Sequence, residues 1–320
     1  MKRILSAVIC CAVILSSTMA QGGPRKGGGP EHPLLRKAMM AQKTLRYTGV
    51  RTLILRTGVE EQFSNESIWF DRGRMRIEYS GKSPNAGQVV VVADGKRFHY
   101  FPEANEIQVR QSRGEELFRL GELMRPGQKP VFSDTVGAKI AGRQTRLFQA
   151  ADPRGNVMAK LWIDPETGMI LKREMFDPTG RRVGAMEFTD FNLKTSFAPD
   201  DFRIIRKGAK IVTIEQSFEQ TAKKLGLPNL RIPESTGFSL EMVRRVRLPE
   251  GKFALSAAYS RQGKSRVTLF ILPENVDEKR LSLAKGGRLN SAMKQVGVVR
   301  VLLIGASPKS ELEVLLAEIR

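Results

Sequence analysis

The stretch that decides the fold is residues 74–101, RMRIEYSGKSPNAGQVVVVADGKRFHYF. Its first part alternates, so Met75, Ile77 and Tyr79 point to one side of a strand and the charged residues between them point to the other. Two short runs rich in valine and aromatic residues follow, and the Asp94-Gly95 pair between them is a hairpin turn signal. The stretch therefore predicts an antiparallel meander with one apolar face and one wet face.

Further strands are predicted on both sides of this stretch, each bounded by turn signals. The predicted strands are 47–59, 62–71, 74–79, 88–93, 97–101, 107–110, 144–150, 157–164, 169–176 and 182–193. Helical spacing of apolar residues predicts one helix over 34–45 and another around 115–124. About ten consecutive strands exceed what an open flat sheet usually holds, so we expect a strongly curved sheet or partial barrel, with the helices as covers.

A second block of elements follows a break in the pattern. Residues 223–236, KKLGLPNLRIPEST, carry two prolines and a glycine, which is typical of a linker. The strands predicted beyond it are 239–248, 253–259, 265–272 and 296–304. A closing helix is predicted from Ser307, with Pro308 in its first turn. The chain thus reads as an α+β, mainly β protein with a curved-sheet domain over 34–222 and a small α+β domain over 237–320.

The N-terminus predicts export. Residues 1–20 have a basic start, about a dozen apolar residues and small residues before a cleavage site after Ala20, as in a secretory signal peptide. The apolar part is too short for a membrane span, which needs roughly 20 residues. Cys10 and Cys11 lack the small preceding residues of a lipoprotein signal and would leave with the peptide. Residues 21–33, rich in Gly and Pro, are predicted to be a disordered lead-in. We therefore expect a periplasmic or otherwise exported chain without disulfides or Cys-bound metal.

The charge is strongly basic and is spread along the chain. The formal net charge is +20, and it becomes +18 when Lys2 and Arg3 leave with the signal peptide. Residues 226–320 carry +7, and 21–225 carry the remaining +11. Both predicted domains are basic, so there is no detachable tail of the kind that binds nucleic acid. For an exported protein the counter-surface is expected to be an anionic membrane surface or an acidic periplasmic segment.

Residues for catalysis are scarce. The chain has two histidines, His32 in the lead-in and His99 in a strand, so neither a zinc triad nor a Ser/His/Asp relay can be assembled. No glycine-rich phosphate loop follows a strand and opens a helix. Charge alone would allow an enzyme acting on an anionic cell-surface polymer. The sequence favours a binding protein that is not an enzyme and that needs no cofactor or metal.

Several segments resemble one family. Residues 34–49, which end in Leu-Arg-Tyr-Thr-Gly, are similar to the opening of the periplasmic sigma-E regulators of the RseB/MucB family. WIDPETGMILKRE, 162–174, resembles a hairpin that this family shares with the lipoprotein carriers LolA and LolB. LPEGKF at 248–253, the strand pair within 259–271 and VLLIGASP at 301–308 are similar to the family's C-terminal domain. The resemblance covers nearly all of 34–320 in the same order, and the carriers lack the second domain, so it favours the regulator.

The resemblance implies a fold and a function. The fold is an unclosed antiparallel β-barrel, the LolA-like half-barrel, whose concave apolar face could accept acyl chains, joined to the smaller domain. The function is to bind the periplasmic segment of a membrane-bound anti-sigma factor, to shield it from proteolysis, and to release it when a mislocalised lipid or lipopolysaccharide binds. Linkage would provide the mechanism, because a ligand that binds only the released form shifts the equilibrium. The alternative is a periplasmic lipid or lipoprotein carrier of the LolA/LolB type.

Two sets of residues are candidate contacts. Apolar strand positions are predicted to line the concave face, where each would either touch ligand or fill an ordinary core. They are Trp69, Ile77, Tyr79, Val90, Val92, Phe98, Tyr100, Leu161 and Ile163. Basic residues near strand ends could meet lipid phosphate or a carboxylate-rich partner, or could be solvated surface charges. They are Arg72, Arg74, Arg76, Lys96 and Arg97.

Overall fold

The computed structural model describes residues 32–57, 60–81, 83, 85–112, 131–248, 251–261, 265–274 and 289–320. The predicted signal peptide and the predicted helix around 115–124 lie outside these residues. The described chain forms two compact units. The N-terminal unit comprises residues up to 105 and 111–209, and the C-terminal unit comprises 106–110 and 210–320. Residues 210–222, which the sequence placed with the first domain, therefore group with the second.

The N-terminal unit is built on a large antiparallel sheet. Its helix is α1 (Pro33–Thr44), and its strands are β1 (Arg46–Thr57), β2 (Glu60–Asp71), β3 (Arg74–Ser80), β4 (Val89–Ala93), β5 (Lys96–Phe101), β7 (Val131–Ile140), β8 (Arg143–Ala151), β9 (Val157–Ile163), β10 (Ile170–Phe176) and β11 (Arg182–Leu193). Within this unit the strand order is β5-β4-β3-β2-β1-β11-β10-β9-β8-β7, and β7 is an end strand that does not pair with β5, so the sheet is unclosed. This confirms the predicted class. Strand β7 was not predicted.

Helix α1 covers one face of this sheet, which we call the inner face. Leu35 and Ala38 are completely buried there, in a core cluster that also contains Ile68 and Phe70 of β2 and Leu171 of β10. The helix begins earlier than predicted. His32, assigned by sequence to the disordered lead-in, is its N-cap: the Leu34 N–H donates to His32 Nδ1 at 3.2 Å. Pro33 at the first helical position needs no hydrogen-bond partner for its nitrogen, which favours a helix start here.

The hairpin between β9 and β10 anchors α1. The Lys37 Nζ donates to the carbonyl oxygens of Pro165 and Glu166, at 2.9 and 2.5 Å. Gly168 has a φ of +79°, and a Cβ added to it would lie 2.9 Å from the backbone C and O of Lys37. Asp164, buried at the base of the turn, accepts from the Glu166 N–H and from Arg143. The Asp-Pro-Glu-Thr-Gly turn therefore sets the position of the helix.

The C-terminal unit contains a second sheet. Its elements are β6 (Glu106–Gln111), β12 (Lys210–Thr213), α2 (Ile214–Lys224), β13 (Ser239–Arg247), β14 (Phe253–Arg261), β15 (Ser265–Pro273), β16 (Asn290–Val296), β17 (Val299–Gly305) and α3 (Lys309–Glu318). Five strands pair in the order β13-β14-β15-β17-β16, and β12 pairs with β6 in parallel. Neither α2 nor β16 was predicted. The segment predicted as a linker, 223–236, contributes Leu230 and Ile232 to the core.

A buried polar network joins β6 and α2 to the sheet of the C-terminal unit. The side-chain amide of Gln108 donates to the Val243 carbonyl oxygen at 2.7 Å, and its oxygen accepts from the Val243 N–H at 3.2 Å. The same amide nitrogen donates to Ser217 Oγ at 2.8 Å, and Ser217 donates to Glu106 Oε1 at 2.6 Å. Val243 lies on β13, an end strand of this sheet. Gln108 thus supplies the two hydrogen bonds that a further strand would supply.

Candidate functional site

The strand register separates the predicted ligand-contacting residues onto two faces. Directly paired residues of antiparallel strands point to the same side of a sheet. Ile68 pairs with Ile77, and Ile77 with Val90, which places all three on the inner face. The predicted residues that belong to or pack against the core on this face are Ile77, Tyr79, Val90, Val92, Leu161 and Ile163. The remaining three, Trp69, Phe98 and Tyr100, lie on the opposite, outer face because they pair with Arg76, Val91 and Val89.

The inner-face residues are covered in this structure. Ile77, Val90, Val92, Leu161 and Ile163 each have 8% or less of their surface exposed. Helix α1 fills the space above part of this face, as described. An acyl chain could therefore reach these side chains only if the residues that cover them moved. The face has the apolar chemistry predicted for it, in a closed arrangement.

A buried ion pair on the inner face adds polar character. Arg51 Nε donates to Glu66 Oε2 at 2.8 Å, and this carboxylate side chain is 5% exposed. The Arg51 guanidinium carbon also lies 5.9 Å from the ring centre of Phe188. Burial by itself lowers the pKa of Arg51, but the Glu66 carboxylate and Tyr47 outweigh it and raise the pKa above its ordinary value. The Arg51 guanidinium therefore stays charged and, because Glu66 already accepts its hydrogen bond, has little remaining capacity for a ligand.

On the outer face, the segment 194–209 packs over the sheet. The short 3-10 helix Pro199–Phe202 contacts β3 and β4, and Phe202 is buried there. Two shallow depressions of about 270 and 250 Å³ flank this helix. Trp69 and Asp201 line both of them. The first also includes Lys194 and Phe197, and the second includes Arg76 and Glu78. An aromatic ring, charged groups and backbone together make this surface, the Trp69 groove, suitable for an extended polar chain.

Two of the five predicted basic contacts, Arg74 and Arg76, are engaged within the protein. Arg74 pairs with Asp71, and its guanidinium carbon lies 4.6 Å from the ring centre of Phe202. Arg76 donates to the Glu78 carboxylate and to the Arg203 carbonyl oxygen, the latter at 2.5 Å, and its guanidinium carbon is 5.7 Å from the Trp69 ring centre. Arg72 is exposed in a turn, Lys96 is exposed at the start of β5, and Arg97 is half-buried. Arg74 and Arg76 thus fix the outer segment onto the sheet.

Sequence reasoning missed the basic residues of the outer segment. Arg203, Arg206 and Lys207 are exposed, and Ile205 between them has 68% of its surface exposed. The signal was present in the run RIIRK at 203–207, which alternates poorly and belongs to neither predicted strand nor predicted helix. The run has no regular spacing of apolar residues that would predict a helix or strand, although functional residues often lie on loops held by a rigid scaffold.

Within the described ranges, no group of three or more His, Cys, Asp or Glu side chains has the arrangement of a metal site. Among these same residues, no helix has both the length and the apolar character to cross a bilayer. His99 is buried, and its Nε2 lies 2.8 Å from Gln88 Oε1, as suits a strand residue.

No protein-family model and no curated protein matches this sequence. Solved structures do show similarity. The crystal structure of MucB is 18% identical, with 90% of this chain and 96% of that chain covered and a TM-score of 0.49. The complex of MucA and MucB from Pseudomonas aeruginosa is 19% identical, covers 90% and 97%, and has a TM-score of 0.43. A LolA superfamily protein from Nitrosomonas europaea is 11% identical over 53% of this chain and 96% of that chain, with a TM-score of 0.28.

The fold and the two faces define a class: a mainly β protein with a large unclosed antiparallel sheet and a second, smaller unit. Function is inferred below from the residues of this chain.

Proposed function

We propose that this protein is a non-enzymatic regulator of the RseB/MucB type, which binds the periplasmic segment of a membrane-bound anti-sigma factor. The observation that carries the proposal is the order of the resembling segments along the whole chain, in both units. In this reading the chain is exported and its signal peptide is removed after Ala20.

The resembling segments coincide with elements that organise each unit. Residues 34–49 form α1 and the start of β1, and 162–174 form the hairpin that anchors α1. In the C-terminal unit, residues 301–308 form most of β17, whose side chains Val301 and Leu303 belong to the core, and the turn into α3. A resemblance that falls on buried contacts of this kind supports shared architecture, and the presence of both units supports the regulator over the carrier.

The Trp69 groove is our proposed contact for an extended partner segment. Residues of the segment 194–206 line it together with Trp69, which presents a large, rigid ring of the kind that dominates interface energetics. Lys194 is exposed at one end and Arg206 at the other, which favours an acidic partner segment. The predicted role of Trp69 as a ligand contact is kept, but on the outer face.

Affinity purification tests the proposal. The tagged chain, expressed in its own host, should recover from detergent-solubilised membranes a single-span protein with a cytoplasmic sigma-factor-binding domain, identified by mass spectrometry. Recovery should fall at least tenfold for Trp69→Ala, since an interface aromatic often contributes about 2 kcal/mol. Trp162→Ala is the matched control, because Trp162 is also half-buried with a cation, Lys172, 5.0 Å from its ring centre. Absence of any such membrane protein from the wild-type eluate would refute the proposal.

The inner apolar face favours a second activity, lipid binding, which the regulator would use for sensing and the alternative LolA/LolB-type carrier for transport. Native mass spectrometry of protein purified without detergent should detect bound acyl chains, or uptake of a fluorescent fatty acid after delipidation. Substituting Val90 or Leu161 by Asn would abolish this uptake if the folded sheet persists by circular dichroism. Lipid uptake without recovery of an anti-sigma factor would favour the carrier.

A further inference from the structure

The outer segment of the N-terminal unit has a surface of unusual composition. Residues 203–207 read Arg-Ile-Ile-Arg-Lys, with three cations and no acid. Ile205 is 68% exposed, and Arg203, Arg206 and Lys207 are all exposed around it. We call these five residues the RIIRK patch. Single exposed apolar residues are common on proteins, so the significance of Ile205 depends on the charges that surround it.

The cations of the patch are held in place and remain largely uncompensated. The Arg206 guanidinium carbon lies 5.5 Å from the ring centre of Tyr100, and Asn105 donates to the Lys207 carbonyl oxygen at 3.3 Å. In the part of the chain that the structure describes, no carboxylate forms an ion pair with Arg206 or Lys207. Arg203 does pair with Asp200, but both side chains are about two thirds exposed, and such pairs contribute little.

The nearby acids are already engaged. Glu78 accepts from Arg76, and the Asp201 carboxylate accepts from the Ala198 N–H at 2.8 Å. On this surface Arg76, Arg203, Arg206 and Lys207 outnumber Glu78, Asp200 and Asp201, so its net charge is positive. By contrast Val314, which is 66% exposed, lies on α3 between Glu313 and the buried Leu315, with Glu311 and Glu318 on the same helix. An exposed apolar side chain at 314 thus has an acidic surrounding, and one at 205 has a basic surrounding.

We propose that the RIIRK patch docks the protein on the surface of an anionic lipid bilayer. Each Lys or Arg near an anionic leaflet is attracted to it, and an apolar side chain between them can enter the headgroup region. An acidic peptide would satisfy the cations but would leave Ile205 exposed, so a bilayer fits the complete patch better. The patch shares Arg206 with one end of the Trp69 groove, and docking on the bilayer would hold the protein close to any membrane-bound partner.

Vesicle co-sedimentation tests the proposal with the full chain. Wild-type protein should bind vesicles of equal parts phosphatidylglycerol and phosphatidylcholine, and should bind pure phosphatidylcholine weakly. Arg206→Gln and Lys207→Gln should each weaken binding about fivefold, and the double variant about 25-fold. Ile205→Ser should weaken it about tenfold. Raised salt should reverse the charge-dependent part.

Matched variants on α3 make the result specific. Val314→Ser and Lys309→Gln remove an exposed apolar group and an exposed cation from a surface with acidic residues, so both should bind like wild type. The proposal is overturned if the patch variants bind anionic vesicles as wild type does. It is also overturned if they lose binding only to an acidic peptide such as poly-glutamate. Recovery of the anti-sigma factor from detergent extract is measured in parallel. If the wild-type protein recovers none, the proposed function is refuted, but the proposal of bilayer docking is not.

Discussion

Gly168→Ala isolates the contact that positions α1. The substitution brings two costs. The first is conformational, because Gly168 has a φ of +79° and alanine in the left-handed region costs about 1–2 kcal/mol. The second is steric, because the new Cβ would lie 2.9 Å from the backbone of Lys37 and from its Cγ. Overpacking of this kind typically costs about 1–3 kcal/mol. The expected total loss of unfolding free energy is therefore about 2–5 kcal/mol.

Gly180→Ala is a matched control for the conformational part. Gly180 also lies in an Asp-Pro-containing hairpin turn, with a φ of +78°, and a Cβ there would meet nothing within 4 Å. It should therefore lose only about 1–2 kcal/mol. The difference in unfolding free energy between the two variants measures the steric contact between the hairpin and α1, because the cost of the left-handed backbone is the same in both.

Tryptophan fluorescence during urea unfolding is a suitable assay, since both tryptophans of the chain, Trp69 and Trp162, belong to the N-terminal unit. Amide hydrogen exchange at Leu35 and Ala38 should accelerate in Gly168→Ala and stay unchanged in Gly180→Ala. Equal loss of stability in the two variants, with equal exchange in α1, would show that the hairpin does not hold the helix.

Three further outcomes are expected. Gln108→Ala should cost about 2–3 kcal/mol, because both backbone groups of Val243 lose their buried partner, and amide exchange at Val243 should report it. The Thr179 hydroxyl and backbone donors of the same turn lower the pKa of Asp177 from 3.8 to about 2. The stability that this carboxylate contributes is therefore present above pH 4 and lost as the pH falls toward 2. In an acid unfolding titration, Asp177→Asn should not show this loss of stability. Burial raises the pKa of Tyr47 from 10 to about 12. The stability that the neutral phenol contributes is therefore present below pH 10 and lost between pH 10 and 12. In an alkaline unfolding titration followed by absorbance, Tyr47→Phe should not show this loss of stability.

Strands with a buried face were readable from the sequence, and elements without one were not. β3 alternates in burial as its sequence alternates, with Met75 and Ile77 buried between half-buried charges. β7 is the terminal strand, and only Ile140 of its ten residues is buried, so it has no apolar pattern to detect. Helix α2 has only Ile214, Phe218 and Ala222 on its apolar side, and its clearest signal was the capping box of Thr213 and Gln216.

The candidate contacts were harder to predict because face assignment needs register. In β2 the run Ile68-Trp69-Phe70 is apolar at every position, so alternation alone cannot say which side chain points inward. The pairing of Ile68 with Ile77 decides it and places Trp69 outside. Charges pose the same difficulty. Arg76 and Arg206 are alike in sequence, but the first is bound by Glu78 and backbone carbonyls and the second faces solvent beside Tyr100.

Because the inner face is closed, a lipid that binds there must displace the residues that cover it, and the cost of this opening can be measured. If a lipid binds the floor at Val90 and Leu161 only after α1 moves, the free energy of opening reduces the apparent affinity by the corresponding factor. Gly168→Ala weakens the closed form by the steric cost, about 1–3 kcal/mol, and should therefore tighten lipid binding about five- to 150-fold while it lowers stability. Gly180→Ala should lower stability without tightening. If Gly168→Ala binds lipid more tightly and is less stable, while Gly180→Ala is only less stable, α1 is the element that lipid displaces. If Gly168→Ala loses both lipid affinity and stability, the lipid binds elsewhere.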